Sequence, residues 1–439
     1  MFNSVPLLPS RTRVICDPAR AVRRIRGLTM NKVTAETLNE LLGIPELIVI
    51  EYGFEELDNE MIVHIICKHR YDVAVCPRCG EVSAALHESE MRCVRHLDIW
   101  GKMTFLHFPS RRFDCDQCKK PFTETLPWIE KQRRQSSAFE RHIYQRCQQT
   151  SKSAVAQSEH LHFKTVLTIF NRWAKRAEGC HHRPLLRRLG VDEISLKKGH
   201  KQYALVLSEL DRCCVIAVLP ERTQKVFAQW LDDLSVVERF AIQVVAMDMW
   251  RPYRDVVQVK LPQAQIVADR FHVMKQLNDR LSQVRRNLQR NADEQTRQAL
   301  KGTRWLLVKN RADLTADEET RLQAALDASP TLRQAYLLKE TFHTICERIS
   351  DREQAARFLT AWIWQAESSG ISQLCKFANT LRNWWTEFLN YFHDRVTSGI
   401  VEGLNNAIRY VIRRACGYHV FEHFRLQVLV EHGGLNPSH

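Results

Sequence analysis

No run of this sequence approaches the ~18 apolar residues that a membrane-spanning helix needs, so a span of that kind is excluded and no membrane partner is expected. It carries no recognisable secretory signal, and its 14 cysteines are expected to meet a reducing compartment. Acids are in short supply: 50 Asp and Glu face 64 Lys and Arg, and the net charge of +14 favours a polyanionic partner. No Ser or Tyr stands in a signature that supplies an activating base, so nothing points to a covalent protein intermediate. The chain has 439 residues, enough for two to four domains at about 150 residues each.

The positive charge is unevenly placed. Between Lys131 and Arg188, 13 Lys or Arg face three acids, Glu140, Glu159 and Glu178. A solvated basic surface would look the same, but this segment also carries a helix-turn-helix pattern. Ser151 caps a supporting helix over 151–158, and 162–176 forms the recognition helix. Val155, Ala156, Leu161, Val166 and Ile169 fall where two such helices lock together. Lys164, Thr165, Thr168 and Arg172 are then left to face a major groove. Glu159 stands where an apolar residue is common, and His160 where glycine usually makes the turn. An ordinary helical hairpin is the alternative.

Ahead of it, Cys76-Pro77-Arg78-Cys79 and Cys115-Asp116-Gln117-Cys118 form two C-x-x-C knuckles 35 residues apart. Four thiolates in two such turns suit one structural, tetrahedral Zn²⁺. The segment between them, with β-rich stretches at 103–108 and 111–113, reads as a zinc ribbon. The longer loop is tolerable because closure entropy grows slowly with length. A pair of disulfides is the alternative, and Cys93 and His96 could compete as ligands without knuckle spacing.

Further on, 189–196 reads as a strand followed by a Lys-Gly-His turn, and 203–210 and 213–219 as two more, joined by short turns into an antiparallel meander. A helix over 223–234 leads to a buried strand, 241–247, that ends at Asp248. A second crossover leads to a strand over 265–268 that ends at Asp269. Strand-helix-strand units of this length favour parallel pairing. The order β-β-β-α-β-α-β is that of a ribonuclease-H-like sheet, in which the first and fourth strands are neighbours and Asp192 faces Asp248. Near the C-terminus Val401, Leu404, Ile408, Val411, Ile412 and Ala415 make a buried helical stripe. Glu402, Asn406, Arg409 and Arg413 share the flank beside it. A carboxylate among amides and guanidinium groups suits a metal beside a phosphate backbone. A solvated helix face would carry the same residues.

These motifs, taken in order, resemble transposases of bacterial insertion sequences of the ISL-three type. The resemblance is carried by Asp192-Glu193, Asp248-Met249, the run from Ala268 to Val273, and Val401-Glu402-Gly403-Leu404-Asn405-Asn406 followed by the run from Arg413 to Tyr418. It spans most of the chain, from the first Cys pair to Phe424. It implies a DDE-type core with Asp192, Asp248 and Glu402 as the catalytic carboxylates; Arg409 and Arg413, on the flank beside Glu402, read as contacts to DNA. Asp269 and His272 also match a family motif, with a structural role at the strand end or metal contact both open. In-line displacement at phosphorus explains the need for carboxylates, since two Mg²⁺ ions on hard oxygen ligands can activate the nucleophile and stabilise the leaving oxygen.

The expected architecture is a multidomain α+β chain. An extension over 1–29, poorly ordered and ahead of a natural start at Met30, precedes an N-terminal region over 30–130 with its zinc ribbon at about 70–125. A helix-turn-helix domain follows over 131–180. The first part of the ribonuclease-H-like core covers 185–280, an all-helical insertion 281–395, and the glutamate helix of the core 396–430. Within the insertion, Thr315 with Glu318 and Ser350 with Glu353 read as capping boxes, and Ser329 precedes Pro330 at a first helical position. Its tryptophans, Trp305, Trp362, Trp364, Trp384 and Trp385, read as core, or in part as stacking platforms for a flipped base. The function expected is a DNA transposase that cuts and joins at the terminal inverted repeats of its insertion sequence. Its partners are double-stranded DNA, as element ends and target, and further copies of itself assembled on that DNA in a bacterial cytoplasm near the nucleoid. The alternatives are a non-enzymatic repressor derived from such an element and a structure-specific nuclease with the same core.

Overall fold

The computed structural model describes residues 34–181, 184–197, 202–394 and 398–435. The expected extension over 1–29 and the Lys198-Gly199-His200 turn lie outside them. The chain divides into two compact units, Met1–Trp173 and Ala174–His439.

In the first unit, α1 (Ala35–Leu42), capped by Thr34, precedes the hairpin of β1 (Leu47–Leu57) and β2 (Glu60–His69). Asp58 and Asn59 both take positive φ at its two-residue turn, as the twist of a tight hairpin demands. Two short strands, β3 (Ala74–Val75) and β4 (Val82–Ser83), are followed by the long hairpin of β5 (Leu86–Ile99) and β6 (Lys102–Cys115), with β7 (Lys120–Thr123) added to β6. The sheet order is β1-β2-β6-β5, with β2 and β6 parallel. Alternation along β2 and β6 buries Val63, Ile65, Leu106 and Phe108 against Leu38 of α1. The two β-rich stretches at 103–108 and 111–113 are one strand, and the cysteines sit at the end of a five-stranded sheet. Three helices follow: α2 (Ser137–Gln149), α3 (Lys152–Ser158) and α4 (Phe163–Cys180), the first two capped by Ser136 and Ser151.

The second unit opens with the expected meander, β8 (Arg188–Lys197), β9 (Gln202–Glu209) and β10 (Cys214–Leu219). Then come α5 (Gln224–Asp232), α6 (Val236–Ala241), β11 (Val244–Met247), α7 (Arg251–Lys260) and β12 (Gln265–Ala268). The strand expected over 241–247 starts only at Val244. Ser235 and Glu238 form a full capping box, and the short helix it nucleates takes up Ala241. The sheet order is β10-β9-β8-β11-β12, with β8, β11 and β12 parallel. Leu189, Val191, Leu205, Leu207, Val245 and Ile266 form one core with Phe227 of α5 and Tyr253 of α7.

From Arg270 to Asp394 the regular elements among the described residues are all helical. They are α8 (Arg270–Asn291), α9 (Glu294–Leu300), α10 (Arg304–Val308), α11 (Ala316–Asp327), α12 (Pro330–Arg348), α13 (Arg352–Ser368), α14 (Ser372–Asn383) and α15 (Trp385–Asp394), with one 3₁₀ turn at Arg311–Asp313. Helix starts at Thr315 and Ser329 are as expected. The box at Ser350 is not formed: Asp351 is the cap, accepting from the Gln354 N–H, because its carboxylate reaches that donor from one residue later. Trp362 and Trp384 are buried and Trp385 is half-buried, but Trp305 and Trp364 are exposed, which corrects their assignment to the core. The chain ends with α16 (Ser398–Arg414) and α17 (Phe421–His432). Among the described residues no helix is long and apolar enough to cross a membrane.

Candidate active site and nucleic-acid interface

Val191, Met247 and Ala268 are register partners across β8, β11 and β12. The residues that follow them are Asp192, Asp248 and Asp269, so the parallel pairing sets three carboxylates at one level of the sheet. Each is oriented by a backbone N–H. Glu193 donates to Asp192 Oδ1 at 2.7 Å, Met249 to Asp248 Oδ1 at 2.6 Å, and Phe271 to Asp269 Oδ1 at 2.8 Å. Asp269 is thereby the N-cap of α8, a structural role.

His272 lies among them, with Nδ1 2.9 Å from Asp269 Oδ2 and Nε2 4.0 Å from Asp192 Oδ1. Burial alone would lower its pKa. The Asp269 hydrogen bond and the charges of Asp248, Asp269 and Asp192 outweigh that and push it up to about 9. Burial raises the Asp192 carboxyl, against the opposing pull of His272. The cluster therefore draws positive charge to itself.

Helix α16 comes close to β8 at Gly190, where there is little room for a side chain. A Cβ on Gly190 would lie 2.5 Å from Ser208 Oγ, 2.8 Å from Leu210 Cδ2 and 3.1 Å from Val401 Cγ2. Val401, Ile408 and Val411 are buried, and Leu404, Ile412 and Ala415 half-buried, as the periodicity required. Glu402, Asn406, Arg409 and Arg413 are exposed along one flank, with Arg409 donating to Asn406 Oδ1 at 2.7 Å. The residue that reaches the carboxylates is Asn405, which sequence reasoning missed. It is 3% exposed, and its Nδ2 donates to Asp192 Oδ2 at 2.5 Å. The signal was present: Asn405 lies four residues after Val401 and three before Ile408, inside the apolar stripe, where an amide must find a partner. Its Oδ1 is buried with no protein partner. Thus Asp192 and Asp248 come together and α16 is tied to Asp192, while Glu402 stays on the exposed flank.

Among the described residues, the group of three or more His, Cys, Asp or Glu whose ligand atoms lie within 4.8 Å of one another is Cys76, Cys79, Cys115 and Cys118. All four are free thiols, so the disulfide alternative is not adopted. Sγ atoms lie 3.5 Å apart for Cys79 and Cys115 and 4.0 Å for Cys76 and Cys118. Tetrahedral zinc with ~2.3 Å bonds to sulfur has ligand edges of about 3.8 Å. The two knuckles close alike: Gly80 N–H donates to Cys76 O and Lys119 N–H to Cys115 O, both Gly80 and Lys119 at positive φ. The thiolate set fits structural zinc. His96 is not part of it; buried, it bonds Ser136 Oγ at 2.8 Å, and burial brings its pKa down to about 4.

In the helix-turn-helix region Val155, Ala156, Val166 and Ile169 are buried and Leu161 half-buried. Both departures from the usual pattern have a physical account. His160 takes the left-handed conformation, φ 53°, that glycine ordinarily supplies. Glu159 is buried, held by Arg146 and by His142 Nε2 at 3.1 Å on α2, a helix the sequence reading overlooked. Lys164 and Thr168 are exposed and Thr165 half-buried. Arg172 does not face a groove. Its side chain is 16% exposed and ion-paired with Glu140, itself 2% exposed, with Glu130 also within 3.6 Å. A buried carboxylate without that guanidinium would be strongly unfavourable, so the pairing claims the side chain.

A four-thiolate zinc module, a three-helix DNA-binding unit and carboxylates on adjacent strand ends, in one strongly basic chain, are the make-up of a transposase. Residues 189–428 match a family model described as a transposase, 72–118 that of the zinc-finger of transposase IS204/IS1001/IS1096/IS1165, and 124–174 that of the helix-turn-helix domain of transposase family ISL3. The chain is 31% identical over 387 residues to the transposase for insertion sequence element IS1001 of Bordetella parapertussis, covering 86% of this chain and 94% of that one. It is 28% identical over 409 residues to the transposase for insertion sequence element IS1557 of Mycobacterium tuberculosis, covering 86% and 91%. The chain belongs to the ISL3 family of insertion-sequence transposases.

Proposed function

We propose that the protein binds the terminal inverted repeats of its insertion sequence through α2, α3 and α4, and cleaves and transfers DNA strands at Asp192, Asp248 and Glu402. One observation carries the reading. The in-register parallel pairing of β8 and β11 makes neighbours of Asp192 and Asp248, and Asn405 ties the helix of Glu402 to the first of them. The strand order supports a ribonuclease-H-like core, with the helices from α8 to α15 as an insertion ahead of α16.

Hard carboxylate oxygens on adjacent strand ends fit a divalent cation such as Mg²⁺. Two such ions, when bound, activate the attacking oxygen and stabilise the leaving one. Asp192 and Asp248 would hold them, with Glu402 as the third carboxylate. The chain's own contribution is orientation. Asn405 and the Glu193 N–H fix both oxygens of Asp192, and Arg409 and Arg413 beside Glu402 offer cations to the phosphate backbone. Assembly of several copies on the two element ends is part of this reading.

The test is to incubate the purified protein with element-end DNA and Mg²⁺ and map the nicks. Asp192→Asn, Asp248→Asn and Glu402→Gln should each abolish nicking and leave end binding intact. Full strand transfer by the Asp248→Asn protein would overturn the assignment.

A further inference from the structure

Helix α8 starts beside the carboxylates and leads away from them. Its first residues, Arg270 and Phe271, lie between Asp269 and His272, and the Phe271 and His272 rings are 5.7 Å apart. From there a groove of about 580 Å³ runs between α8, α10 and α12, lined by Phe271, Lys275, Asn278, Arg304, Trp305 and Lys339 among others. From Phe271 to Ser282, the last α8 residue on its wall, it follows the helix for about 16 Å at 1.5 Å per residue.

Four features of this groove call for a ligand. Trp305 is 68% exposed and Phe271 43%, two large aromatic faces left open on the walls of one groove. Its lining carries two exposed cations, Lys275 and Arg304, beside one exposed acid, Asp279, while Arg270 and Lys339 on the same wall are ion-paired with Glu347 and Glu340. The Arg304 guanidinium stands 4.9 Å from the Trp305 ring centre, so charge and stacking face occur together. Asn278 Oδ1, on the same wall, is buried with no protein partner. Cations with open aromatic faces suit a nucleic-acid strand, and only unpaired bases can offer a face to stack, since those of a duplex are already stacked.

We propose that this groove binds an unpaired stretch of DNA strand as it leaves the carboxylates, with a base on Trp305 and phosphates at Lys275 and Arg304. It rests on the catalytic reading of Asp192 and Asp248 for the origin of that strand, and on the groove's own chemistry for its binding.

The experiment measures binding of the full chain to a labelled short oligothymidylate and to a random duplex by fluorescence anisotropy, over a salt series without Mg²⁺. Trp305→Ala should weaken oligothymidylate binding about 5-fold or more, the loss of one stacked base. Trp305→Phe should recover most of it. Lys275→Ala and Arg304→Ala should each reduce the logarithmic salt slope by about 0.7. Duplex affinity should be unchanged throughout. All three side chains are exposed, so unchanged melting curves are expected alongside. Wild-type oligothymidylate binding by Trp305→Ala and Lys275→Ala, or equal losses on duplex, would overturn the proposal. The two readings fail separately. Nicking by Asp248→Asn would remove the catalytic assignment and leave the Trp305 dependence standing, and the reverse pattern would remove the groove alone.

Discussion

Replacing Asn405 with alanine isolates one hydrogen bond at the centre of the site. The Asn405 amide donates to Asp192 Oδ2 at 2.5 Å, and the group is almost wholly buried. Burial already disfavours the charged form of Asp192, and the Asn405 bond acts in the opposite direction. A hydrogen bond to a charged group contributes about 1.5–3 kcal/mol, equivalent to about a 10- to 150-fold effect when it acts only on the productive arrangement. Asn405→Ala should therefore lower single-turnover nicking of end DNA by at least about 10-fold and raise the Mg²⁺ concentration needed for half-maximal rate. Affinity for end DNA should not change, since the amide is turned into the sheet and away from Arg409 and Arg413. Asn405→Asp should be at least as impaired, because it sets a second carboxylate against Asp192. The assay is nicking over a Mg²⁺ series, with thermal unfolding measured on the same samples. A wild-type rate and Mg²⁺ midpoint in Asn405→Ala would refute the positioning role. So would a loss of rate that merely follows the unfolded fraction.

Arg172→Ala should destabilise the helix-turn-helix unit by about 3–5 kcal/mol, since it strands the buried Glu140 carboxylate, and an unchanged melting curve would contradict this. Arg409→Ala should do the reverse: the same melting curve, weaker binding to every DNA sequence, and a salt slope smaller by about 0.9. Metal analysis should find about one zinc per chain, lost in Cys115→Ser, and chelation should open the segment from β3 to β7 to proteases; zinc-free native protein would remove the claim. Gly190→Ala should cost about 1–3 kcal/mol, because its methyl group would clash with Ser208 and Leu210 and press on Val401; unchanged stability would show that these neighbours yield freely.

Much of this was legible because it is local. Two C-x-x-C pairs need only a turn each, and the turns formed as their spacing implied. The meander and the apolar strand ending at Asp248 follow from β-rich runs broken by short polar turns, and the pairing of β8 with β11 follows from the order of elements. What was not legible depended on partners distant in the chain. Helical spacing places Arg172 near the exposed side of α4, but the carboxylate that captures it, Glu140, sits 32 residues earlier on a helix passed over as merely basic. The same helix explains Glu159, which looked like a defect in the motif and is held in place by Arg146 and His142. Trp305 and Trp364 were assigned to a core on hydrophobicity alone, although neither lies on the buried side of its helix.

The adjacent asparagines of α16 show where pattern reading stops. Periodicity alone puts Asn406 on the flank of Glu402 and Arg409 and says nothing of Asn405. Successive residues on a helix differ by about 100°, so the question of which asparagine meets the sheet is decided by how α16 is rotated and how close it comes. Those quantities depend on the other side of the contact, where Gly190 on β8 leaves room for Val401. Without a Cβ at Gly190, Val401 comes down onto the strand two residues before Asp192, and the next turn of the helix brings Asn405 to that carboxylate. Asn406 is left in solvent beside Arg409. Which asparagine meets Asp192 is thus decided by the packing of α16 on the sheet, which the spacing of the motif does not contain.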